Sequence, residues 1–420
     1  MKILYVSQYF PPEMGAPAAR AAELSRHWAK AGHDVSVLTG FPNHPTGVIP
    51  PEYRSRARRL VARERVDDVH VLRTWLLPFP NRKAYERMLN YGSFCVSAAT
   101  TGLFVSPPDV VIGTSPQLLV GLSAWWIARA KRVPFVFEVR DLWPESLAAV
   151  GMGNENFVLH RSLARIAGFL YRKSDHIVVV TQAFEEYLVE HWNVPRQKIS
   201  VVENGVETNL FVPSKNDLRS QLGAEGKFIV CYIGTMGMAH GLETLVDAAC
   251  QLRQSDPDVL FLLVGEGADK ERIMTMARAL GLDNLRFVDQ QPRETIPAYI
   301  SASDASLVLL KKTDLFKTVI PTKMLEFMSC ARPVILGVDG QAREIMEKAQ
   351  AGIFIEPGNA NALVEAVKRL RADASLREKL GSNGRRHIVE HFSREQTAAT
   401  YVGVLERLLG RNSSAEAVAA

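Results

Sequence analysis

Short apolar runs alternate with helix-length amphipathic stretches along almost the whole chain, and this alternation limits the possible fold more than any other feature. Runs such as DVVIGT (109–114) and VLFLLV (259–264) are apolar at successive residues, so both faces of such strands would be buried. Strands of this kind, separated by helices, are typical of parallel sheets covered on both sides. A chain of 420 residues also exceeds one ordinary hydrophobic core. The sequence therefore predicts an α/β protein with two domains.

The pattern runs twice, and the polar segment 207–226 between the two runs is predicted to be the linker. We expect two doubly wound Rossmann-like domains, residues 1–206 and 207–394, facing across a cleft, with residues 395–420 carrying a last helix. Ligands of such sheets bind at the carboxyl ends of the strands. The predicted strands are 2–7, 34–39, 69–74, 109–114, 134–139, 175–181, 199–202, 227–233, 259–264, 285–288, 305–310, 333–338 and 353–355. The predicted helices include 17–31, 241–253, 269–280, 294–301, 321–330, 341–349, 360–371 and 394–409.

The composition narrows the class of protein. With 47% hydrophobic and 23% charged residues, the chain is ordinary for a soluble globular protein, which excludes disordered, collagenous and disulfide-scaffold classes. The four cysteines lie far apart and lack metal-ligand spacing, which favours a reduced, cytosolic protein without a structural zinc. The first residues, Met1–Val6, are too short for the apolar region of a signal peptide and predict a strand.

Positive charge is concentrated in the first half of the chain. Residues 1–200 carry 24 Lys and Arg against 17 Asp and Glu, whereas residues 201–420 carry 26 against 28. The densest stretch, Arg54–Arg65, either attracts an anionic surface, membrane or nucleic acid, or is the solvated face of a helix. Segment Met88–Val105 is mostly apolar but contains polar residues, which favours a buried or interfacial helix over a membrane span.

Two loops of the first half are candidates for chemistry. The loop after the first strand has no G-x-G-x-x-G, which argues against a dinucleotide cofactor, but Gly15 and Ala16 allow close backbone approach ahead of a helix whose amides could receive an anion. The fifth strand ends in Arg140, Asp141 and Glu145; the Arg fork suits a phosphate or carboxylate, and Asp141 could accept a hydroxyl proton. The alternative for the first loop is that it only connects a strand to a helix. The alternative for the second is that Arg140 and Asp141 form a structural ion pair.

The first loop of the second domain has the residue types of a phosphate site. Gly234, Thr235 and Gly237 follow a strand and open a helix, so their amides and the helix dipole could bind a phosphate, and His240 could donate to it. An unremarkable loop histidine is the alternative. Glu266, within Gly265–Gly267, closes the next strand in the same manner and is a weaker candidate.

Residues 320–331 carry the clearest signal. Pro321 suits the first helical position, and Thr322 and Lys323 place amides and an ammonium at the positive end of the helix, which fits a diphosphate. Glu326 lies one turn deeper and could accept both hydroxyls of a ribose. The alternative for Glu326 is a buried, paired structural carboxylate.

The order of these loops, with GHDVSVLTG, NGVE and PTKMLEFMSCARPVI, resembles the retaining GT-B glycosyltransferases of family 4 over essentially the whole chain. The motifs SQYFPPEMGAPAAR, EVRDLWPES and GTMGMAHGLE are more narrowly similar to bacterial transferases of the colanic-acid and O-antigen N-acetylfucosaminyl subgroup. The resemblance implies an acceptor-side first domain, a nucleotide-sugar-binding second domain, and a last helix that packs back on the first.

The resemblance also assigns site residues, with several departures. Glu326 matches the second glutamate of the family's E-x7-E motif, and this glutamate holds the donor ribose in the family. The position of the motif's first glutamate is occupied by Thr318 in this chain. At the positions of the family's phosphate-binding Arg and Lys, this chain has Thr235 and His240. We therefore expect Lys323, with Lys311 or Lys312, to supply the positive charge instead. Its sugar-contacting His falls at Arg140, followed by Asp141, and its glycine-rich loop falls at Gly15–Ala16. Donor identity is therefore the least constrained property.

The resemblance implies a transferase that moves a sugar, an N-acetylated amino or deoxyamino sugar, from UDP to a lipid-diphosphate-linked saccharide in cell-surface polysaccharide synthesis. We expect no metal or other cofactor, because Asp256-Pro257-Asp258 is typical of a turn. A lipid acceptor in the inner leaflet would explain residues 54–65 and 88–105, and predicts a cytoplasmic enzyme peripheral to the membrane. We expect no nucleic-acid partner, because the arginine run lacks interleaved aromatic residues beyond Tyr53.

Two other functions remain open. One is a UDP-sugar 2-epimerase or hydrolase on the same architecture, which would use an acid/base set for which Asp141, Glu145 and His44 are candidates. The other is a non-catalytic nucleotide-sugar-binding partner in a polysaccharide assembly complex, for which the missing first glutamate is the only support. Release of free sugar, or formation of a new UDP-sugar without an acceptor, would favour the first of these.

Overall fold

The computed structural model describes residues 1–44, 46–80, 84–145 and 158–411. The chain divides into two compact units. Unit 1 comprises Met1–Glu203 and the chain from Glu395 onward, and unit 2 comprises Asn204–Arg394. Each unit is built on one sheet, and the core of each lies on both faces of that sheet, as expected for strands without a polar face.

The sheet of unit 1 has eight strands, parallel except at one edge. The strands are β1 (Lys2–Val6), β2 (Asp34–Gly40), β3 (Val61–Val66), β4 (Val69–Thr74), β5 (Val110–Thr114), β6 (Phe135–Val139), β7 (His176–Val179) and β8 (Ile199–Val201). Their order is β3-β4-β2-β1-β5-β6-β7-β8. The helices before residue 204 are α1 (Ala16–Lys30), α2 (Pro51–Ala57), α3 (Ala84–Gly102), α4 (Leu118–Lys131), α5 (Val158–Lys173) and α6 (Gln182–Trp192).

The arginine-rich stretch 54–65 is not one helix face, which corrects that alternative. It passes from α2 through a turn into β3, which pairs antiparallel with β4 at the edge of the sheet. Glu64 on β3 binds two arginines, accepting hydrogen bonds from Arg56 Nη1 at 2.9 Å and from Arg73 Nε at 2.6 Å. A strand edge covered by charged side chains resists pairing with other chains.

The segment predicted as a buried or interfacial helix is amphipathic. It forms most of α3 and the turn after it. Phe94 and Ala98 of α3 are fully buried, whereas Val96 of α3 and Phe104 in the turn are 58% and 83% exposed. Leu89 and Leu103 within this segment, and Tyr85 at the start of α3, are also exposed. Within the described residues, none of the helices combines the length and hydropathy that a membrane crossing requires.

Unit 2 contains a six-stranded parallel sheet. Its strands are β9 (Phe228–Ile233), β10 (Val259–Val264), β11 (Leu285–Val288), β12 (Ala305–Leu309), β13 (Val334–Gly337) and β14 (Gly352–Phe354). They lie in the order β11-β10-β9-β12-β13-β14. The helices are α7 (Leu218–Gln221), α8 (Glu243–Ser255), α9 (Lys270–Ala279), α10 (Ile296–Ala302), α11 (Thr322–Ser329), α12 (Gln341–Ala349), α13 (Ala360–Ala372) and α14 (Ala374–His391), followed by α15 (Arg394–Leu408).

Segment 207–226, predicted to be the linker, is part of unit 2. Phe211 is fully buried in the core of this unit together with Ile229 and Phe327, and α7 lies within the segment. The main chain leaves unit 1 before this segment, between Glu203 and Asn204.

Helix α15 packs within unit 1. Trp28 on α1 donates a hydrogen bond through Nε1 to the Ala398 carbonyl at 3.2 Å, and its ring meets that of Tyr401 edge-on at 5.1 Å. Both aromatic side chains are fully buried in one core cluster with Tyr5 on β1. The last helix therefore completes the core formed by the first 200 residues.

Candidate active site

The predicted site residues lie where strands end, in both units. In unit 1, Gly15 and Ala16 follow β1 at the start of α1, and Arg140, Asp141 and Glu145 follow β6. In unit 2, the loop after β9 carries Gly234–His240, and α11 begins at Thr322. The carboxyl ends of parallel strands meet at one edge of a sheet, which is where doubly wound folds bind ligands.

The structure brings Arg140 to the start of α1. The Ser115 hydroxyl oxygen accepts hydrogen bonds from the backbone N–H of Arg140 at 2.7 Å and of Asp141 at 3.3 Å, which fixes the turn after β6. Arg140 Nη2 lies 3.5 Å from the Ala16 carbonyl oxygen. In the described part of the chain, the buried Nε and Nη1 atoms of Arg140 have no hydrogen-bond partner.

A buried ion pair that the sequence did not reveal lies beside Arg140. Arg20 donates to Glu138 Oε1 from Nε at 3.1 Å and from Nη2 at 2.8 Å, and the Tyr5 hydroxyl donates to Glu138 Oε2 at 2.7 Å. Although burial opposes ionisation, Arg20 and Arg140 hold the pKa of Glu138 below its ordinary value. The only sequence signal was an arginine placed between Ala18 and Ala21 in an apolar stretch of α1.

Two carboxyl groups of unit 1 titrate close to neutral pH. Burial raises the pKa of Asp141 to about 6, and the charge of Arg140 opposes the rise. Burial also raises the pKa of Glu13 to about 7, although Glu13 Oε1 accepts hydrogen bonds from the backbone of Asn43 at 2.9 Å and of His44 at 3.0 Å. The predicted residue Glu145 lies near none of these contacts.

The remaining acid/base candidates of unit 1 have other neighbours. The ring of His44 lies 4.9 Å from that of Tyr9, and burial lowers the pKa of His44, so its imidazole is neutral at pH 7. Glu145 lies beside Tyr187, and burial together with Glu145 raises the pKa of that phenol. The structure therefore does not gather Asp141, Glu145 and His44 through any hydrogen bond among the described residues.

In unit 2, Lys323 lies against the loop that follows β9. Its ammonium donates to the Tyr232 hydroxyl at 2.9 Å and lies 4.0 Å from the centre of the Tyr232 ring. A methyl group on Gly234 would lie only 3.1 Å from Lys323 Nζ, so the ammonium is next to the main chain of that loop. Burial lowers the pKa of Lys323 to about 7, and the charge of Glu326 opposes the fall.

The loop after β9 is held by its own side chains. The Tyr232 hydroxyl donates to the Thr235 carbonyl at 2.7 Å, and the Gly237 N–H donates to His240 Nδ1 at 3.2 Å. Burial and the charge of Lys323 lower the pKa of His240 to about 3, so this imidazole is neutral. Its Nδ1 lies 3.2 Å from both the N–H and the carbonyl oxygen of Gly237, and in the tautomer in which Nδ1 accepts, Nε2 carries a proton that can be donated to a ligand.

The main chains of two neighbouring loops touch at Gly234 and Gly265. Gly265 has a φ of +145°, and any Cβ there would collide with the Gly234 carbonyl group. Glycine is therefore required for the loop after β10 to lie against the loop after β9. Glu266 in that loop is not a bare carboxylate, because Lys270 donates to it at 2.5 Å and to Asp289 at 2.7 Å.

Helix α11 begins one residue later than predicted, because Pro321 is its N-cap and Thr322 its first helical residue. Glu326 is half-buried, and its Oε1 accepts a hydrogen bond from Arg293 Nη1 at 2.8 Å. The guanidinium of Arg293 also lies 4.9 Å from the ring of Phe211. Local sequence does not indicate that Arg293 pairs with this carboxylate, since Arg293 lies in a short 3-10 turn 33 residues before Glu326.

Lys311 follows β12 and lies beside the same loop. Its backbone N–H donates to the Ala239 carbonyl at 2.9 Å, and a cavity of about 290 Å³ is lined by Lys311, Gly241 and Glu243 among others. Lys312 instead donates to Glu356 at 2.6 Å at the surface. Of the two lysines considered as helpers of Lys323, Lys311 is therefore the one beside the loop after β9.

The single D-x-D sequence lies at the opposite end of the strands. Asp256 and Asp258 precede β10, and Arg371 binds both, with two hydrogen bonds of 2.8 Å to Asp258 and one of 3.1 Å to Asp256. These carboxylates stabilise a turn at the amino ends of the strands, as the sequence predicts.

Comparison with known proteins assigns both units. Residues 15–205 match the family described as glycosyl transferase 4-like domain, and residues 214–387 match the family described as glycosyl transferases group 1. The putative colanic acid biosynthesis glycosyl transferase WcaI of Escherichia coli K12 is 25% identical over 388 residues, covering 88% of this chain and 92% of its own.

Solved structures of glycosyltransferases share the fold. Sucrose-phosphate synthase from Thermosynechococcus elongatus superimposes with a TM-score of 0.76 at 22% identity, covering 97% of this chain and 99% of its own. HepE from Anabaena, solved in complex with UDP-glucose, gives a TM-score of 0.71 at 19% identity over 97% of this chain and 100% of its own. The predicted GT-B fold class is confirmed, and the chain combines a glycosyl transferase 4-like domain with a glycosyl transferases group 1 domain.

Proposed function

We propose that the chain transfers a sugar, with retention of configuration, from a UDP-sugar to a lipid-diphosphate-linked saccharide in cell-surface polysaccharide synthesis. The observation that carries the proposal is the position of Lys323, whose ammonium lies between the start of α11 and the main chain of Gly234. The complex of HepE with UDP-glucose supports a UDP donor, and the similarity to WcaI, described as a colanic acid biosynthesis glycosyl transferase, supports a polysaccharide product. The proposed sugar is an N-acetylated amino or deoxyamino sugar.

The chemistry of the proposed reaction suits these groups. When the glycosidic bond to the donor breaks, negative charge gathers on the leaving diphosphate, so groups that hold this charge lower the barrier. Lys323 supplies a cation, the start of α11 supplies amides at the positive helix end, and His240 supplies a neutral N–H donor. Glu326, held by Arg293, faces the ribose in this proposal. No metal is required for these roles.

The acceptor side of the proposal rests on unit 1. This unit carries the excess of positive charge, and Val96 on α3 and Phe104 just after α3 are exposed apolar side chains. A basic surface with exposed apolar side chains suits an anionic lipid surface. We therefore propose that the enzyme works in the cytoplasm, peripheral to the inner face of the membrane, where a lipid-linked acceptor would be presented.

Nucleotide binding tests the donor. Thermal unfolding with UDP, GDP, ADP and UDP-sugars, each with EDTA or with Mg²⁺, should show a metal-independent rise in midpoint for UDP and for one UDP-sugar, because a ligand of the native state stabilises it by mass action. The variant Lys323→Met should lose most of this rise, while Lys312→Met, a surface lysine paired with Glu356, should keep it. A shift only with GDP or ADP, or an unchanged response in Lys323→Met, would refute the donor assignment.

A further inference from the structure

The segment that joins α2 to β3, the arginine turn (Arg56–Arg63), contains four arginines and no acidic residue. All four are exposed, and Arg58, Arg59 and Arg63 make no ion pair or side-chain hydrogen bond within the described residues. The next residue, Glu64, is shared by two guanidiniums, one from this turn and one from a buried arginine on β4. The arginine turn therefore keeps a net positive charge at the surface.

The middle of the arginine turn is apolar and exposed. Leu60 is 56% exposed and Val61 is 37% exposed. Leu60 also has a φ of +63°, a left-handed conformation that glycine or asparagine adopts at lower cost than a bulky side chain. Packing does not account for a leucine here, since more than half of the residue is in contact with solvent. An exposed apolar side chain in a strained conformation points to a partner outside the folded chain.

The arginine turn lies at the edge of the sheet that carries the candidate ligand loops of unit 1. Val61 pairs with Thr74, the last residue of β4, and β4 runs parallel to β2 and β1. The start of β3 therefore lies at the carboxyl ends of these strands. Arg73, next to Thr74, donates hydrogen bonds to the carbonyl of Pro11 in the loop after β1 and to that of Gly40. A surface bound by the arginine turn would face the edge where this sheet binds ligands.

We propose that the arginine turn docks unit 1 on an anionic lipid bilayer, with Leu60 and Val61 entering the headgroup region between the guanidiniums. Cations near anionic headgroups and apolar side chains inserted among them both strengthen such binding. A nucleic acid fits less well, because contacts to its phosphates need cations and leave the exposed leucine and valine in water. The inference rests on the proposed lipid-linked acceptor and names the surface that meets the membrane carrying it.

Vesicle binding tests the charges. The full chain should co-sediment with vesicles of phosphatidylcholine and phosphatidylglycerol in equal amounts, and added NaCl should weaken this binding. Arg59→Gln and Arg63→Gln should each weaken it about fivefold, which corresponds to about 1 kcal/mol for each cation at the surface. The matched control is Arg129→Gln, which removes an exposed arginine near the end of α4, at the amino edge of the sheet, and should bind like wild type.

The variant Leu60→Asn separates docking from folding. Asparagine tolerates the left-handed conformation, so the urea midpoint without vesicles should not fall. Binding to the anionic vesicles should fall about fivefold, because an apolar side chain is lost while the charge is unchanged. Leu60→Gly should give the same result with a residue that adopts this conformation freely. Unchanged vesicle binding in both variants would overturn the proposal.

Three other results would assign a different partner or surface and would also overturn it. Equal binding to vesicles of phosphatidylcholine alone would mean that the negative charge of the lipid has no effect. Weaker binding in Phe104→Ser or Arg129→Gln, but not in Leu60→Asn, would place the bilayer at the turn after α3. A single-stranded oligonucleotide that displaces the vesicles and binds wild type and Leu60→Asn equally would identify a nucleic acid as the partner.

The outcomes distinguish this inference from the function on which it rests, because vesicle binding is measured without nucleotide. If UDP stabilises the protein but the variants of the arginine turn bind vesicles like wild type, the docking surface is wrong and the donor assignment stands. If UDP has no effect but vesicle binding falls in these variants, the proposed transferase function is wrong and the docking surface stands.

Discussion

Arg20 is a fully buried cation and Lys323 is a half-buried one, and they differ in the groups that face them. Arg20 is held by two hydrogen bonds to a buried carboxylate, and this attraction outweighs burial and raises the pKa of Arg20 above its ordinary value. Lys323 faces a phenol oxygen and an aromatic ring, and burial lowers its pKa to about 7. A fully paired cation stabilises a fold, whereas a cation with neutral neighbours remains available for a ligand anion.

The pKa of Lys323 predicts a pH dependence of UDP binding. Lys323 loses its proton as the pH rises through about 7 in the free protein, and a bound diphosphate favours the charged form. The charge that binds the anion is therefore present below pH 7 and lost above it. The dissociation constant of UDP should rise about tenfold between pH 6 and pH 8, because binding above pH 7 takes up one proton.

Titration calorimetry in two buffers of different ionisation enthalpy measures that proton uptake directly. The neighbouring His240 does not imitate this uptake, since its pKa is lowered to about 3 and it stays neutral over the whole range. The variant Lys323→Met should bind UDP more weakly, with no buffer dependence. An unchanged proton uptake in Lys323→Met would assign the titration to UDP itself.

At the scale of elements, β3, α2, α4–α7 and α14 are absent from the predicted set, and the omission of β3 and of α14 has a physical reason. Strand β3 was missed because Glu64 lies on its half-buried face and Val61 on its exposed face, so apolar and polar residues do not alternate along it. Helix α14 was missed because Gly381 and Gly384 interrupt its apolar pattern. The other strands and helices α1, α3, α8–α13 and α15 were predicted, since their apolar periodicity reflects burial against two mainly parallel sheets.

Part of the candidate site could also be predicted from the sequence. The loops at the carboxyl ends of the strands and the start of α11 could be found from local sequence, because glycines mark the loops and Pro321 and Lys323 mark the helix start. Partners from distant segments could not be found in this way. Arg293 on Glu326 and Arg20 on Glu138 are 33 and 118 residues away, and no local pattern relates such positions.

Replacing a glycine by alanine is predicted to have opposite effects on stability at Gly381 in α14 and at Gly403 in α15. A Cβ at Gly381 would collide with the Ala331 carbonyl oxygen, which would push α14 away from the turn after α11. Gly381→Ala should therefore destabilise the protein by about 1–3 kcal/mol. At Gly403 on α15 the nearest atom is the end of the Arg407 side chain at 3.6 Å, so Gly403→Ala should gain up to about 1 kcal/mol of helix propensity. Urea denaturation compares them, and equal effects would contradict the packing argument.

The buried ion pair between Arg20 on α1 and Glu138 on β6 predicts that substitutions of the two residues have strongly non-additive effects on the free energy of unfolding. Arg20→Met leaves Glu138 as a buried charge near Arg140 only, and should destabilise unit 1 by about 3–5 kcal/mol. Removing both charges in Arg20→Met with Glu138→Leu leaves apolar side chains of similar size and should recover most of that loss. Urea denaturation of the two single variants and the double variant measures the coupling. A double variant that is less stable than Arg20→Met would show that the pair acts through its hydrogen bonds to Tyr5 and to the Val202 carbonyl.

At the scale of the whole molecule, the chain order does not follow the division into units. Unit 1 is made of two segments separated by the 191 residues of Asn204–Arg394. Arg20 donates to the carbonyls of Val202 and Glu203, where the first segment ends, and Trp28 donates to the Ala398 carbonyl, where the second begins. Helix α1 therefore binds both segments of unit 1, close to the points where the chain leaves this unit and returns to it.

This arrangement predicts the effect of ending the chain after Arg394. The shortened protein retains all of unit 2 but loses Tyr401 and Leu405, which are fully buried in the core of unit 1 with Trp28. Exposure of that core should unfold unit 1 at ambient temperature, because each large apolar side chain lost from a core costs about 3–5 kcal/mol and a domain has only about 5–15 kcal/mol in all. Calorimetry should show one thermal transition in place of two. UDP should still raise its midpoint, because the groups proposed to bind the diphosphate all belong to unit 2.

The single substitution Tyr401→Ala in the full chain is the milder control. It should lower the midpoint of the unit 1 transition and leave the response of unit 2 to UDP intact. Loss of UDP binding in both proteins, with unit 2 still folded, would mean that the donor needs groups from unit 1.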